Sequence, residues 1–369
     1  MRILLLSDIN SAHTQKWATA LAEKGLDIAI FSMSQPDNDW FSKFGIRSIN
    51  SLGINKKKLN GRLLYKLSYI MLLPNLRSAI AEFKPEIIHS HYASSYGLLG
   101  ALSGFHPFII SAWGSDVMEF PHKNLLNKKI LKYNLKKSDY IFATSDAIVK
   151  AIAGLSNKTI KKIPFGIDTS YFIPTKIAEL TFPLECIVIG TVKSLEEIYG
   201  IDLLIKAFKK VNDNNKNQLL KLLIVGSGSK TQEYNALVKE LQIADNVLFT
   251  GKVEYSKVVN YHNMIDIFVN VSRSESFGVS VLEASSCGKP VIVSNTGGLP
   301  EVVVNGKTGF LVESQNIDAI ANAIEKLIGD EKLRSRMGEN GRIFVQEHFD
   351  FRENVNDTLT IYKQLITTV

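Results

Sequence analysis

The chain has 369 residues, of which 45% are hydrophobic and 21% are charged. This length and composition are typical of a globular protein with two domains, and no apolar run reaches the ~18 residues of a membrane span. The net charge of +7 is unevenly distributed, because residues 1–165 hold 22 basic and 11 acidic residues. We therefore expect the front half to face an anionic partner, such as a nucleic acid, an acidic bilayer or a phosphorylated acceptor.

The cysteines and histidines show no metal-ligand pattern. Cys186 and Cys287 lie far apart and beside apolar residues, so we interpret them as reduced core thiols of a cytoplasmic protein. His89 and His91 flank one serine, with no third ligand in reach, so no metal site is predicted there. The start, MRILLLSDIN, is too short and lacks the flanks of a signal peptide, so a cytoplasmic location is expected.

The first half alternates between short apolar runs and helical patterns. MRILLLSD predicts a buried parallel strand, and HTQKWATALAEKG, with Trp17, Ala18 and Leu21 on one face, predicts the helix that follows. Strands alternating with helices predict a parallel, doubly wound α/β sheet. Further strands are predicted at LDIAIFS, PEIIHSHY, PFIISAWGS and YIFATS.

The alternation breaks at KKIPFGIDTSYFIPTKIAELTFP, where prolines and a Gly-Ile-Asp turn predict a linker. A second alternating series then begins at LECIVIGTV. We therefore predict two Rossmann-like domains, residues 1–165 and 183–345, that face each other across a cleft, and a last helix, 352–369, that packs back on the first domain. Because parallel sheets bind ligands beyond the carboxyl ends of their strands, the cleft is the predicted ligand site.

Two carboxylates, Glu275 and Glu283, flank a turn of small residues after the predicted strand IDIFVNVS. A helix is predicted to begin near Gly278, which places Glu275 in the turn and Glu283 within the helix. The first amides of a helix lack intrahelical acceptors and bind phosphate, and a glycine lets the ligand approach the backbone. The amides of Phe277, Gly278 and Val279 would bind a diphosphate, and the carboxylates would accept hydroxyl hydrogen bonds. A nucleotide sugar fits this pattern.

The stretch ESFGVSVLE, followed by GKPVIVSNTGGLPEVVVNGKTGFLV, resembles the signature of the family-4 retaining glycosyltransferases, the glycosyl transferases group 1. Their motif is two glutamates separated by seven residues, and Glu275 and Glu283 keep this spacing. Weaker pieces, among them PFGIDTSYF and YGIDLLIKAF, extend the resemblance over nearly the whole chain. It implies the GT-B fold, with an N-terminal domain that binds the acceptor and a C-terminal domain that binds the donor.

The resemblance implies donor-binding roles for residues of the second domain. Glu283 would hold the ribose hydroxyls, and Glu275 would hold hydroxyls of the donor sugar near the reacting carbon. The backbone of Val253, in VLFTGKV, would meet the base. The amides of residues 277–279 would contact the diphosphate or the sugar.

At the leaving diphosphate the family has an Arg and a Lys. Lys193 would replace the Arg and act in catalysis with Glu275, whereas the second position is Tyr199, which carries no positive charge. A departing diphosphate needs its growing charge stabilised. Because amides and Lys193 would take the place of a cation, neither a metal ion nor a cofactor is expected.

The first domain departs from the family at two places. Asn10, Ser11 and His13 occupy a loop that is commonly glycine-rich. Trp113 stands where a His-Gly-x-Asp run has its His, while Asp116 keeps the Asp. We predict Asp116 as catalytic, and Ser11, His13 and Trp113 as acceptor or cleft residues. Because Trp cannot act as a base, the resemblance implies that the leaving phosphate oxygen accepts the acceptor proton.

Two basic stretches of the first domain, residues 55–80 and 122–139, interleave lysines with Leu, Ile and Tyr. Such stretches suit an anionic bilayer surface, at about 1 kcal/mol per Lys or Arg. We expect peripheral docking on the inner face of the cell membrane, with a glycan or lipid-linked acceptor. No recognised nucleic-acid module is present, so a nucleic-acid partner is not expected.

The predicted function is the transfer of a hexose, with retention, from a nucleotide-diphosphate sugar in cell-envelope glycan synthesis, with UDP as the expected nucleotide. The alternatives are a nucleotide-sugar epimerase or a phosphorolytic enzyme of the same architecture, or a catalytically silent sugar-nucleotide-binding module. A nicotinamide dehydrogenase is disfavoured, because LLLSDINSAH lacks the Gly-x-Gly-x-x-Gly turn after the first strand.

Overall fold

A computed structural model describes residues 1–50, 71–177, 182–183 and 185–367. Most of the first basic stretch, residues 55–70, therefore lies outside the described residues. Over the described ranges, no helix combines the length and the apolar character that a membrane span requires.

The contacts between residues divide the chain into two units. The first unit comprises Met1–Pro164 together with Asn354–Val369, and the second comprises Phe165–Glu353. Each unit is built on a parallel sheet with helices, which confirms the predicted α/β class.

The described strands of the first unit are β1 (Arg2–Leu6), β2 (Asp27–Ser32), β3 (Arg47–Asn50), β4 (Ile87–His91), β5 (Phe108–Ala112), β6 (Tyr140–Ala143) and β7 (Ile160–Lys162). They form a seven-stranded parallel sheet in the order β3-β2-β1-β4-β5-β6-β7. Because both faces of the sheet are covered, the central strands are buried, and residues 3–6 of β1, an apolar run, are 0% exposed.

The helices of the first unit pack their apolar faces on this sheet. In α1, the buried residues include Trp17, Ala18 and Leu21, the face that the sequence predicts, and Gly25 follows the helix in the left-handed region with φ +82°. The described helices are α1 (Ala12–Glu23), α2 (Leu73–Phe83), α3 (Ser95–Ser103), α4 (Ser115–Met118), α5 (Leu125–Lys137) and α6 (Asp146–Ala153).

The described strands of the second unit are β8 (Ile187–Val192), β9 (Leu220–Val225), β10 (Val247–Gly251), β11 (Ile267–Asn270), β12 (Val291–Ser294) and β13 (Gly309–Val312). They form a six-stranded parallel sheet in the order β10-β9-β8-β11-β12-β13. The order reverses beside β8, whose neighbours are β9 and β11, and a parallel α/β sheet binds ligands at such a switch point.

The helices of the second unit are α7 (Ile201–Asn214), α8 (Thr231–Glu240), α9 (Tyr255–Met264), α10 (Val279–Ser286), α11 (Ile317–Gly329) and α12 (Glu331–His348). The predicted linker starts in the first unit, where Lys161 and Lys162 lie in β7, and its described residues from Phe165 onward belong to the second unit. Phe172 is 1% exposed, and the hydroxyl of Ser286 donates to its carbonyl oxygen over 2.6 Å. Thr169 Oγ1 likewise donates to Asp350 Oδ2 over 2.6 Å.

The last helix, α13 (Phe351–Thr367), begins in the second unit and belongs to the first unit from Asn354 onward. Its Tyr362 is 0% exposed, and the phenol oxygen lies 2.5 Å from Nδ1 of His89 in β4. Near the start of this segment, Asn354 Nδ2 donates to the carbonyl oxygen of Pro164 over 2.9 Å. These buried polar contacts attach the end of the chain to the first sheet.

Candidate donor site and acceptor-side residues

The predicted donor residues of the second unit follow two neighbouring strands. Lys193 comes directly after β8, and the loop that holds Glu275 follows β11. Because β8 and β11 are paired parallel strands, their carboxyl ends meet at the same edge of the sheet. The sheet thereby brings Lys193 and Glu275 together, and the two side chains form an ion pair that is only 15% and 11% exposed.

Tyr199 lies at the same ion pair. Its ring centroid is 4.3 Å from Nζ of Lys193, which is a cation–π distance. The residue at which the resemblance implies a second cation is thus an aromatic ring that contacts Lys193. The ammonium of Lys193 is therefore fixed from two sides, by the ring of Tyr199 and by the carboxylate of Glu275.

Arg273 holds one side of the Glu275 loop. Its guanidinium forms a bidentate ion pair with Asp202 of α7, with Nη1 to Oδ1 2.9 Å and Nη2 to Oδ2 2.7 Å. Burial acts to raise the pKa of Asp202, but the hydrogen bonds and the charge of Arg273 help to outweigh it, so this pKa is lowered. The same residue donates from Nη1 to the carbonyl oxygen of Glu197 over 2.7 Å, which links the loop to the segment of Tyr199.

Two glycines hold the other side of the loop. Gly297 has φ +54°, and a Cβ there would lie 1.8 Å from the carbonyl oxygen of Glu275. Gly298 donates its N–H to the same oxygen over 2.9 Å. Only glycine allows this approach, so Gly297 sets where the Glu275 loop lies.

The backbone after Glu275 presents amides as predicted. Helix α10 begins at Val279 with Gly278 as its N-cap, at φ 112°. Within the described residues, the N–H groups of Phe277, Gly278 and Val279 have no hydrogen-bond acceptor. The Phe277 ring packs between those of Phe165 and Phe349, each centroid 5.9 Å away, and this packing anchors the helix start. Free amides at a helix start suit a phosphate group.

Glu283 lies inside α10 and is 5% exposed. Its Oε1 accepts from the Tyr255 hydroxyl at 3.3 Å, and its Oε2 lies 3.2 Å from Nε2 of His262. Glu275 and Glu283 therefore have different partners, and both carboxylates are held within the unit. Sequence reasoning missed Tyr255 and His262, since no local motif marks either residue.

Val253 lies in the loop between β10 and α9 and is half-buried. It precedes Tyr255 by two residues, so it is on the segment that reaches Glu283. Its predicted contact with a base stays a prediction.

In the first unit, Asp116 is fully buried in α4. Its carboxylate accepts from the backbone N–H groups of Ala93 (2.6 Å), Gly114 (2.8 Å) and Trp113 (3.1 Å). Burial raises the pKa of Asp116, and these hydrogen bonds oppose the shift. The carboxylate fixes the loop that carries Trp113, and the catalytic role predicted for Asp116 stays a prediction.

Aromatic rings cluster at the carboxyl edge of the first sheet. The rings of His13 and Trp113 have centroids 5.6 Å apart, and those of Trp113 and His91 are 4.7 Å apart. Burial, reinforced by His13, lowers the pKa of His91 to about 3, so its imidazole is neutral. The structure thus brings the predicted residues His13 and Trp113 together and adds His91.

Ser11 occupies the N-cap position of α1, but its side chain does not cap the helix. Its N–H donates to the carbonyl oxygen of Asp8 over 3.0 Å. Among the residues of known position, no cluster of His, Cys, Asp and Glu side chains could hold a metal ion.

Two family models match this chain. The model of the glycosyl transferases group 1 matches residues 172–344, and the model described as glycosyl transferase 4-like matches residues 2–145. One model matches most of the second unit, and the other matches most of the first. The chain belongs to the family-4 glycosyltransferases, which have the GT-B fold.

Individual proteins agree with this assignment. The chain is 30% identical over 293 residues to the N-acetyl-alpha-D-glucosaminyl L-malate synthase of Bacillus anthracis, covering 76% of this chain and 75% of that protein. Its fold matches the sucrose-phosphate synthase of Thermosynechococcus elongatus with a TM-score of 0.86, at 23% identity and full coverage of both chains. It also matches Anabaena HepE, solved with UDP and glucose, with a TM-score of 0.79 at 18% identity, over 99% of this chain and 100% of that one.

Proposed function

We propose that this glycosyltransferase moves a hexose, with retention of configuration, from a nucleotide-diphosphate sugar to a glycan or lipid-linked acceptor of the cell envelope. The observation that carries this proposal is the free amides of residues 277–279, which lie in sequence between the two held carboxylates Glu275 and Glu283. The amides suit a diphosphate, and the carboxylates suit hydroxyl-rich groups at its two ends.

The proposed donor is a UDP-sugar. The similarity to HepE, which was solved with UDP and glucose, supports UDP. The relative from Bacillus anthracis is named for an N-acetylglucosaminyl product, which supports a hexose donor. Lys193 and the amides would stabilise the leaving diphosphate without a metal ion, so transfer in excess EDTA should equal transfer in Mg²⁺.

In the proposed reaction one bond breaks, one bond forms and one proton is transferred. The bond from the anomeric carbon to the diphosphate oxygen breaks, and a bond to an acceptor oxygen forms on the same face of the sugar. The acceptor proton passes to the leaving phosphate oxygen, so no protein base is needed. On the acceptor side, Ser11, His13 and Trp113 would contact the acceptor, and the neutral His91 lies against Trp113.

We also propose that the first unit docks on an anionic bilayer on the cytoplasmic face. In the second basic stretch, Leu125 is 79% exposed and Leu126 is 51% exposed. The same helix, α5, carries Lys128, Lys129 and Lys132. Co-sedimentation with vesicles containing phosphatidylserine tests this proposal. Salt-sensitive binding that is weakened in the double variant Leu125→Ser, Leu126→Ser supports docking. Sedimentation of the same amount of protein with and without vesicles contradicts it.

The decisive experiment for the proposed function compares the wild type with Glu275→Gln on a panel of nucleotide sugars. Thermal stabilisation reports binding, and released nucleotide reports transfer or hydrolysis. Binding kept and turnover lost in Glu275→Gln supports the enzyme. A wild type that binds without turnover would be a silent binding module, and a sugar that isomerises without an acceptor would indicate an epimerase.

A further inference from the structure

The carboxylate of Glu283 is held from inside the second unit by a histidine. The side chain of His262, in α9, is 0% exposed, and its Nε2 lies 3.2 Å from Oε2 of Glu283, whose side chain is 6% exposed. A carboxylate accepts hydrogen bonds, so Nε2 carries the proton in this contact. In the neutral imidazole, Nδ1 is then an acceptor.

That second nitrogen has no hydrogen-bond partner in the described part of the chain. Nδ1 of His262 is buried and makes no hydrogen bond with the described residues, and leaving a buried polar atom unsatisfied destabilises the folded state. The imidazole lies among aromatic rings, with centroids of Phe268 at 5.4 Å and of Phe172 at 6.0 Å. An apolar side chain would suit these surroundings better. The hydrogen bond to Glu283 is the polar contact that explains a histidine at this position.

The two oxygens of Glu283 differ in their surroundings. Oε2 faces the buried His262, whereas Oε1 faces the hydroxyl of Tyr255, a residue that is 56% exposed. The distance from that hydroxyl to Oε1 is 3.3 Å, longer than the ~2.7–2.8 Å of a strong O–H···O bond. A hydroxyl group of a ligand can therefore replace this weak contact at Oε1.

We propose that His262 is the positioning residue for ribose recognition: it fixes Oε2 of Glu283 so that Oε1 accepts a ribose hydroxyl. This inference rests on the proposed function, in which Glu283 binds the ribose. His262 acts only through Glu283, so its loss should affect the recognition of ribose hydroxyls and leave the contacts of the base and the diphosphate unchanged.

The test measures the binding of UDP and of 2′,3′-dideoxy-UDP by titration calorimetry, with GDP and its dideoxy form used if UDP does not bind. His262→Gln and His262→Asn form a matched pair, because the Gln amide reaches the place of Nε2 and the Asn amide does not. We expect His262→Gln to bind UDP within about threefold of the wild type. We expect His262→Asn to bind it about tenfold more weakly, as for one hydrogen bond to a charged group.

The dideoxy nucleotide identifies the cause. Its affinity should be equal, within twofold, in the wild type and both variants, and thermal unfolding confirms that each variant is folded. An equal loss for both nucleotides in His262→Asn, or no loss for UDP, overturns the inference. If His262→Asn does not fold, His262→Phe replaces it with the same expectation.

Glu283→Gln separates this inference from the proposed function. If Glu283 binds the ribose, this variant should lose affinity for UDP and not for dideoxy-UDP. An unchanged preference for UDP in Glu283→Gln, or a wild type that binds neither UDP nor GDP, contradicts the proposed ribose role itself. A lost preference in Glu283→Gln with a full preference in His262→Asn contradicts only the role of His262.

Discussion

The ring of Tyr199 lies 4.3 Å from the ammonium of Lys193, and Lys193 forms an ion pair with Glu275. Lys193 is thus held by an aromatic ring and by a carboxylate. A cation–π contact is worth about 0.5–2 kcal/mol.

The first prediction concerns this contact. Tyr199→Leu should lower kcat/KM for transfer by about 3- to 30-fold, because Lys193 is less well fixed beside the leaving diphosphate. Tyr199→Phe keeps the ring and should remain within about threefold of the wild type. Steady-state kinetics with a saturating acceptor give both values. Equal losses in the two variants would show that the hydroxyl, and not the ring, matters.

The second prediction concerns Gly297. In Gly297→Ala the new Cβ would lie 1.8 Å from the carbonyl oxygen of Glu275, so the loop must move and nucleotide binding should be lost. Gly306→Ala is the matched control, because Gly306 also has a positive φ, +76°, but a Cβ there would meet no atom within 4 Å. Both variants carry the left-handed strain of about 1–2 kcal/mol. Calorimetry should therefore show binding in Gly306→Ala alone; binding retained in both would contradict the close approach.

The third prediction concerns pH. Hydrogen bonds from Arg352 lower the pKa of Asp350 to about 2 from its usual 3.8. A lowered pKa stabilises the folded state above about pH 4, and this contribution is lost as the pH falls towards 2. Asp350→Asn should cost about 1–2 kcal/mol at pH 6 and flatten the loss of stability between pH 4 and pH 2. Urea unfolding at several pH values measures both the cost at pH 6 and the loss between pH 4 and pH 2. If the free energies of unfolding of the variant and the wild type fell in parallel over that range, the lowered pKa of Asp350 would be refuted.

The fourth prediction concerns the last helix. Tyr362→Phe removes the hydroxyl that contacts Nδ1 of the buried His89, and should lower the free energy of unfolding by about 1–3 kcal/mol. Tyr171→Phe is the control, because the Tyr171 hydroxyl donates to Ser256 at an exposed position and should cost less. Urea denaturation compares the two variants. A larger loss in Tyr171→Phe would contradict the role given to the buried contact.

Much of the fold could be predicted because its signals are local. Apolar runs such as residues 3–6 mark strands buried on both faces, and the glycine at 278 marks the start of α10. The spacing of Glu275 and Glu283, together with the glycine-rich stretch that follows, indicates the family. These features depend on neighbours in the sequence.

The remaining features depend on contacts between distant segments. The role of the Tyr199 ring depends on Lys193 lying over it, and the role of Gly297 depends on the Glu275 carbonyl 22 positions earlier. His262 reads as an ordinary helical residue until Glu283 is placed beside it. No periodicity or spacing predicts such pairs.

The most direct test of the central claim is a crystal structure of the wild type with UDP. We expect diphosphate oxygens within about 3 Å of the N–H groups of residues 277–279 and ribose hydroxyls on the carboxylate of Glu283. UDP bound elsewhere in the second unit, with no phosphate at these amides, would contradict the proposed donor site.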